Sequence, residues 1–217
     1  MRRRIIVTAG GDIEQFPLIS LGYFDLCIAA DSGLEQADRL GLQADVIIGD
    51  MDSVSSEALS RARERGATVE IHPKDKNASD LELALERAFA ESPDEVVLVG
   101  GAGGRPDHAA LTLALISVFA SRGPRLTACV GGWIIETATP DRGWEGHGEA
   151  GDLVSLIPQG GNAGGVTTQG LRFPLIGEQL GWGSSRGLSN SLTGASAAVD
   201  LVAGTLLVFR PRKGTDS

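Results

Sequence analysis

The sequence predicts an α/β fold in two parts: a Rossmann-like parallel-sheet domain over residues 1–130, followed by an all-β sandwich domain over residues 131–217. Three observations predict it. Short apolar runs alternate with helical patterns through the first part. Those runs are near-continuous in apolar character, as strands buried on both faces are. Beyond residue 131 helical periodicity stops, glycine becomes dense, and short strand-like runs follow one another between turn residues.

The strands of the first part read in order as RIIVTA (4–9), DLCIAA (25–30), DVIIG (45–49), TVEIH (68–72), EVVLVG (95–100) and LTACV (126–130). Helical patterns lie between them. SGLEQADRLG (32–41) and SSEALSRARERG (55–66) each close on a glycine, a residue suited to the left-handed position after a helix. SDLELALERAFAE (79–91) carries Leu81, Leu85 and Ala88 at helical spacing behind Ser79 as a cap. PDHAALTLALISVFASRG (106–123) opens on proline, which is tolerated in a first turn.

In the second part DLVSLIP (152–158), GGVTTQGLRFPL (164–175), RGLSNSLTG (186–194), AAVDLV (197–202) and TLLVFRP (205–211) read as short strands. VAGTLLV suggests a hairpin around Gly204, Trp182 reads as core, and 137–152 reads as a loop or boundary.

Composition narrows the function classes. The chain has 217 residues and a formal net charge of −9, which argues against a nucleic-acid binder. No apolar run approaches the roughly 20 residues that cross a bilayer. The opening MRRRIIVTAGGD has too short an apolar stretch for a secretion signal and is expected to be the first strand. Cys27 and Cys129 both fall in strand-like runs, so buried free thiols in a reducing, cytoplasmic setting are expected.

Five acids fall where strands end. Asp31 follows the second strand, Asp50 and Asp52 the third, Asp80 the turn after the fourth, and Asp107 the glycine-rich turn after the fifth. Ligands of an open α/β sheet bind beyond the carboxyl ends of its strands, so one rule places all five at one rim. A single D-x-D in a turn is ordinarily a cap or turn residue; five acids at one rim favour a site. Carboxylates without histidine or cysteine partners suit a hard cation such as Mg²⁺, whose shell substrate phosphates complete. The turn GGAGGRPDH (100–108) adds a phosphate-type signal: Gly104 and its neighbours let backbone N–H groups approach an anion, and Arg105 offers a forked donor set. His108 abuts this turn, whereas His72 and His147 read as ordinary polar residues.

The ordered motifs ADSG, DVIIGDMDS, KDKNASDLELAL, GGAGGRPDHAALTLAL, GLRFPL, GSSRGLSNSLTG and GTLLV resemble those of thiamine pyrophosphokinases. The resemblance implies Mg²⁺-dependent transfer of pyrophosphate from ATP to the thiamine hydroxyl, giving thiamine diphosphate and AMP. It implies a homodimer with the acceptor site at the subunit interface. Carried over by motif, Asp50, Asp52 and Asp80 would hold Mg²⁺, and Asp31 and Asp107 would belong to the same acidic site. Ser32, Gly33, Lys76, Gly104, Arg105 and His108 would lie along the nucleotide, and Ser79, Ser189, Asn190 and Leu192 would meet thiamine.

Three departures stand out. Ser32 replaces a glycine of the family pattern, Asn77 stands where bacterial relatives often carry Asp, and Leu192 stands where many carry an aromatic ring. A ring in that place would add about 0.5–1.5 kcal/mol of aromatic contact. Two other readings remain: a diphosphokinase for another heterocyclic alcohol such as a pterin, and a non-catalytic nucleotide or thiamine sensor.

Overall fold

The computed structural model describes residues 2–11 and 22–212, in two compact units. The first comprises residues 1–112 with 124–131, and the second residues 113–123 with 132–217.

Unit 1 is built on six parallel strands: β1 (Arg4–Ala9), β2 (Leu26–Ala30), β3 (Val46–Gly49), β4 (Thr68–Ile71), β5 (Glu95–Val99) and β6 (Arg125–Val130). Their spatial order is β6-β5-β1-β2-β3-β4. The chain therefore leaves β1 toward β2 on one side and returns to β5 on the other. The carboxyl ends of β1 and β5 form the topological switch, where open α/β sheets place ligands.

Alternation along the strands supplies two apolar faces. Ile6, Cys27, Val97, Val99 and Cys129 pack with Ala37 of α1 (Gly33–Arg39) and with Leu40 just beyond it, while Ala29 and Ile47 pack with Leu34 of α1 and with Ala58 and Ala62 of α2 (Ser56–Glu64). The intervening residues Ile5, Val7, Ile28, Ile48 and Leu98 are equally buried. Helix α3 (Asp80–Ala90), which packs on β1, β2 and β3, contributes the buried Ala84, Leu85 and Ala88. Cys27 and Cys129 are buried and not joined in a disulfide, and burial pushes the Cys27 thiol up to about 12, with the Asp45 charge adding to it. Edge strand β4 carries Glu70 paired with Arg87, a charge that discourages further strand addition.

Unit 2 is antiparallel. One sheet runs β12 (Asn190–Ser191), β9 (Leu153–Pro158), β14 (Leu206–Pro211), β7 (Trp133–Ala138). The other runs β11 (Glu178–Leu180), β10 (Ala163–Gln169), β13 (Ser196–Asp200), β8 (Trp144–His147). Val154, Leu156, Val166, Leu171, Leu192, Val199 and Val208 share its core. Helix α4 (Pro106–Ala120) contributes its first turns to unit 1 and its remainder to unit 2.

Three expectations are corrected here. Gly204 does not turn a hairpin: β13 pairs with β10 and β8, whereas β14 pairs with β7 and β9. Gly204 is still required, since a Cβ there would sit 2.4 Å from the Asn162 carbonyl oxygen. Segment 137–152 is not one loop, because it contains the end of β7 and all of β8. Trp182 is not core; it is 68% exposed.

Candidate functional site

A cleft of about 610 Å³ opens at the switch point, within the range of small-molecule sites. Its floor is two interlocked glycine turns. The Gly101 N–H donates to the Gly10 carbonyl oxygen at 2.8 Å. Added Cβ atoms would sit 2.2 Å from the Ala102 oxygen at Gly11, and 2.2 Å from the Ala9 oxygen at Gly100. No side chain fits between these turns, so they present backbone to the cleft. Thr112 Oγ1 donates to the Gly101 oxygen at 2.5 Å and ties the second turn to α4.

Around this floor stand the rim acids. One carboxylate oxygen from each of Asp31, Asp50 and Asp52 lies within 4.8 Å of the others, a grouping of ligands that suits a cation. Local backbone forms it. Asp31 and Met51 both adopt left-handed conformations, φ 47° and 64°, uncommon outside glycine and tolerated best by Asp and Asn. The turn at Met51 lets the Asp52 N–H donate to Asp50 Oδ1 at 3.0 Å, a side-chain-closed turn that brings the two acids round to one place.

Asp31 Oδ1 is buried and accepts no hydrogen bond. Burial raises its carboxyl pKa. Hydrogen bonds from the Ser53 side chain and the Ser32 backbone partly offset that rise, and the neighbouring Asp80 and Asp50 charges add to it. An orphaned buried carboxylate oxygen beside two other carboxylates is costly alone and is relieved by a bound cation, so these residues fit a hard divalent ion.

Asp80, expected with Asp50 and Asp52 as a ligand, stands next to them. A Cβ on Gly49 would lie 3.1 Å from both Asp80 Oδ1 and Asp31 Cβ. Lys76 Nζ sits 3.0 Å from Asp80 Oδ1, without the alignment of a hydrogen bond. Asp107 lies outside the converging trio and grips Arg105 in bidentate fashion, at 2.6 and 3.2 Å. That guanidinium holds the Asp107 carboxyl down at about 2. Ser32, Lys76, Arg105 and His108 line the cleft.

Gly33 and Ser79 do structural work. A Cβ on Gly33 would be 2.1 Å from the Thr8 oxygen, so glycine is what lets α1 start against β1. Ser79 Oγ caps α3 by accepting from the Glu82 N–H at 3.2 Å, which presents Asp80 at the first turn. A Cβ on Gly104 would meet nothing within 4 Å, but its φ of 70° favours glycine.

The residues expected at the acceptor lie in unit 2 and form a separate construction. Asn190 is buried, and its side chain clasps the GLRFPL loop: Oδ1 accepts from Phe173 N at 3.0 Å and Nδ2 donates to Phe173 O at 2.8 Å. Leu192 is 3% exposed and bridges to Leu171, so it packs beneath the surface. Ser189 is exposed in a left-handed conformation, φ 55°, with its N–H donating to Ser155 Oγ at 3.0 Å. Phe173, Ile176, Trp182 and Leu188 are the large apolar side chains exposed around these motifs.

Sequence reasoning passed over Lys74, whose Nζ hydrogen-bonds Asp52 Oδ2 at the cleft. No strand or helix period marks it, because Lys74 lies in a tight turn whose Lys76 N–H donates to the Lys74 carbonyl oxygen at 3.1 Å.

Comparison with known proteins agrees with this architecture. The family model described as "Thiamin pyrophosphokinase, catalytic domain" matches residues 21–128, and that described as "Thiamin pyrophosphokinase, vitamin B1 binding domain" matches residues 145–206. The chain is 25% identical over 211 residues to thiamine pyrophosphokinase of Bacillus subtilis (strain 168), covering 96% of this chain and 98% of the relative. It is 26% identical over 155 residues to thiamine pyrophosphokinase 2 of Oryza sativa subsp. japonica, spanning 67% of this chain and 57% of that longer protein. The crystal structure of the Bacillus subtilis thiamine pyrophosphokinase superposes with a TM-score of 0.84 at 24% identity, covering 97% of this chain and all of that one (100%). Thiamin pyrophosphokinase from Candida albicans keeps the fold at 12% identity, with a TM-score of 0.77 over 97% of this chain and 89% of its own. With both family models matched in order along the chain, this protein belongs to the thiamine pyrophosphokinase family.

Proposed function

We propose that the protein works as a Mg²⁺-dependent thiamine pyrophosphokinase, transferring the terminal pyrophosphoryl group of ATP to the thiamine hydroxyl and releasing AMP. The observation that carries this reading is the convergence of Asp31, Asp50 and Asp52 within 4.8 Å above a floor of backbone-presenting glycines, in a chain of this family. Residues 1–130 would act as the Rossmann-like catalytic domain and 131–217 as the β-sandwich that takes thiamine. Asp50, Asp52 and Asp80, with Asp31 beside them, would hold Mg²⁺. That ion supplies charge neutralisation on the phosphates and makes the phosphorus more electrophilic.

The remaining steps belong to the chain's own groups. Phosphoryl transfer asks the protein for position and counter-charge rather than covalent chemistry. The turns at Gly10–Gly11 and 102–104 let backbone N–H groups reach phosphate oxygens, with Ser32 supplying a hydroxyl. Arg105 turns its fork from Asp107 to the polyphosphate, Lys76 adds a second charge, and His108 borders the nucleotide. The acceptor hydroxyl attacks the β-phosphorus in line. Its O–P bond forms, the bond from the β-phosphorus to the α-phosphate oxygen breaks, and AMP leaves with that oxygen. Asp80 accepts the hydroxyl proton at a carboxylate oxygen.

Self-association as a homodimer, with thiamine taken at the interface near Ser189 and Asn190, belongs to the same proposal. The exposed Phe173, Ile176, Trp182 and Leu188, close in sequence to these residues, support it, because large apolar side chains left in water together mark interaction surfaces. AMP release from ATP and thiamine, with and without Mg²⁺, tests the activity. Asp50→Asn and Asp52→Asn should each lower turnover by about 100-fold or more, as loss of a transition-state charge partner does. Near-normal AMP release from both variants would refute the assignment. A panel of heterocyclic alcohols in the same assay identifies the acceptor.

A further inference from the structure

Three cations face the rim acids, and each already engages one of them. Lys76 meets Asp80 at 3.0 Å, Arg105 meets Asp107 at 2.6 Å, and Lys74 hydrogen-bonds Asp52. Lys76 and Arg105 occupy positions that the family motifs specify. Lys74 does not: the motif K-D-x-T-D falls on residues 76–80, and Lys74 precedes it in the PKDK turn. Its Nζ nonetheless rests on Asp52 Oδ2, part of the converging carboxylate trio, and its side chain lines the cleft.

We propose that Lys74 is a movable counter-charge, resting on Asp52 while the site holds no cation and passing to the nucleotide's polyphosphate once a divalent cation takes Asp52. The inference rests on the metal–polyphosphate reading above and adds to it a substrate-binding residue. An ammonium and a divalent ion cannot share one carboxylate without repelling each other. The Lys74 side chain is 77% exposed, so its ion pair is of the weakly held kind that a divalent ion displaces at small cost. A lysine is a compact charge on a flexible stem, able to follow the change of partner. Polyphosphate oxygens complete the shell of such an ion, which puts anionic oxygens beside the place the ammonium has left.

The two halves of this exchange have opposite signs, and that makes them separable. Without Lys74, binding of metal alone should tighten, because its competitor is gone. Binding of the metal–nucleotide complex should weaken, because a phosphate partner is gone. A lysine acting only on the fold would move neither, and a plain phosphate ligand would move only the second.

The test titrates Mn²⁺ alone into wild type, Lys74→Ala and Lys74→Arg, reading free Mn²⁺ by electron paramagnetic resonance. ATP binding with saturating Mg²⁺ is then read by calorimetry. Lys74→Ala should bind Mn²⁺ about fivefold tighter, the size of one unit-charge repulsion in water-like surroundings. It should bind ATP about fivefold more weakly, on the same scale for one lost unit-charge attraction. Lys74→Arg should stay near wild type in both. Unchanged or weaker Mn²⁺ binding by Lys74→Ala, or unchanged ATP binding, overturns the proposal. Wild type that binds neither Mn²⁺ nor ATP overturns the functional reading itself.

Discussion

Replacing Asp31 with Asn should stabilise the metal-free protein while weakening its hold on the metal. The carboxylate shares a space where like-charged oxygens lie within 4.8 Å of one another, and its Oδ1 is buried without a partner. Two unit charges at that separation repel by about 1 kcal/mol even at the dielectric of water, and by more in protein surroundings. Asparagine is the natural test residue, since it tolerates the left-handed φ of 47° that position 31 requires. Its amide can also donate toward a neighbouring carboxylate.

For a chain of this size, about 1 kcal/mol corresponds to a rise of roughly 2–4 °C in melting temperature. The assay is thermal unfolding by circular dichroism in a metal chelator, repeated across pH. The sign follows from burial, which raises the Asp31 pKa above its ordinary value of 3.8. Ionised Asp31 therefore costs stability above its folded pKa, and the cost fades as pH falls through that value toward the unfolded one. The advantage of Asp31→Asn should be full near neutrality and shrink on acidification. Added Mg²⁺ with ATP should reverse the ranking, raising the wild-type midpoint by more than the variant's. A variant no more stable than wild type in chelator would refute the reasoning that the acids repel.

Three further outcomes follow from the same geometry. Ser79→Ala removes the cap accepting from Glu82 N at 3.2 Å and should cost about 1 kcal/mol in urea unfolding, whereas Ser79→Asp should keep most of it. Gly49→Ala puts a Cβ 3.1 Å from Asp80 Oδ1 at φ 155°; it should cost about 1–3 kcal/mol by the same measurement and weaken Mn²⁺ binding. Arg105→Ala should let the Asp107 carboxyl rise from about 2 toward its ordinary 3.8, seen by carbon NMR titration. The pair supports the fold above the unfolded pKa and loses that support as pH falls toward about 2, so the variant should be slightly less stable than wild type at neutral pH and should match it below about 2.

Legibility differed between the two units for a physical reason. Strands β1, β2, β3, β5 and β6 are apolar in continuous runs because both faces are covered, and each was found within a residue of its bounds. Helix α3 announced its start through Ser79, which caps as expected, and Ser55 caps α2 in the same way. In unit 2 the signals are short and alternate on one face only. Strand β8 passed for a loop because WEGH contains one large buried residue, Trp144. The β13–β14 connection looked local, yet the two strands serve different sheets. Trp182 illustrates the same limit: hydrophobicity names a candidate for burial, but packing decides which candidates are buried.

At the site, the sequence by itself determined the residue types, their order and the rim on which they stand, because each acid follows a recognisable strand. It also carried the family resemblance, and the two family models match residues 21–128 and 145–206. Only the tertiary structure decided which of them meet. Asp31 joins Asp50 and Asp52, Asp107 turns to Arg105, Lys74 reaches Asp52, and Leu192 goes under the surface. Those outcomes depend on left-handed turns at Asp31 and Met51, and on glycines pressed against carbonyls of neighbouring strands. Apart from the local Arg105–Asp107 pair, they are contacts between separate segments of the chain, which no local pattern records.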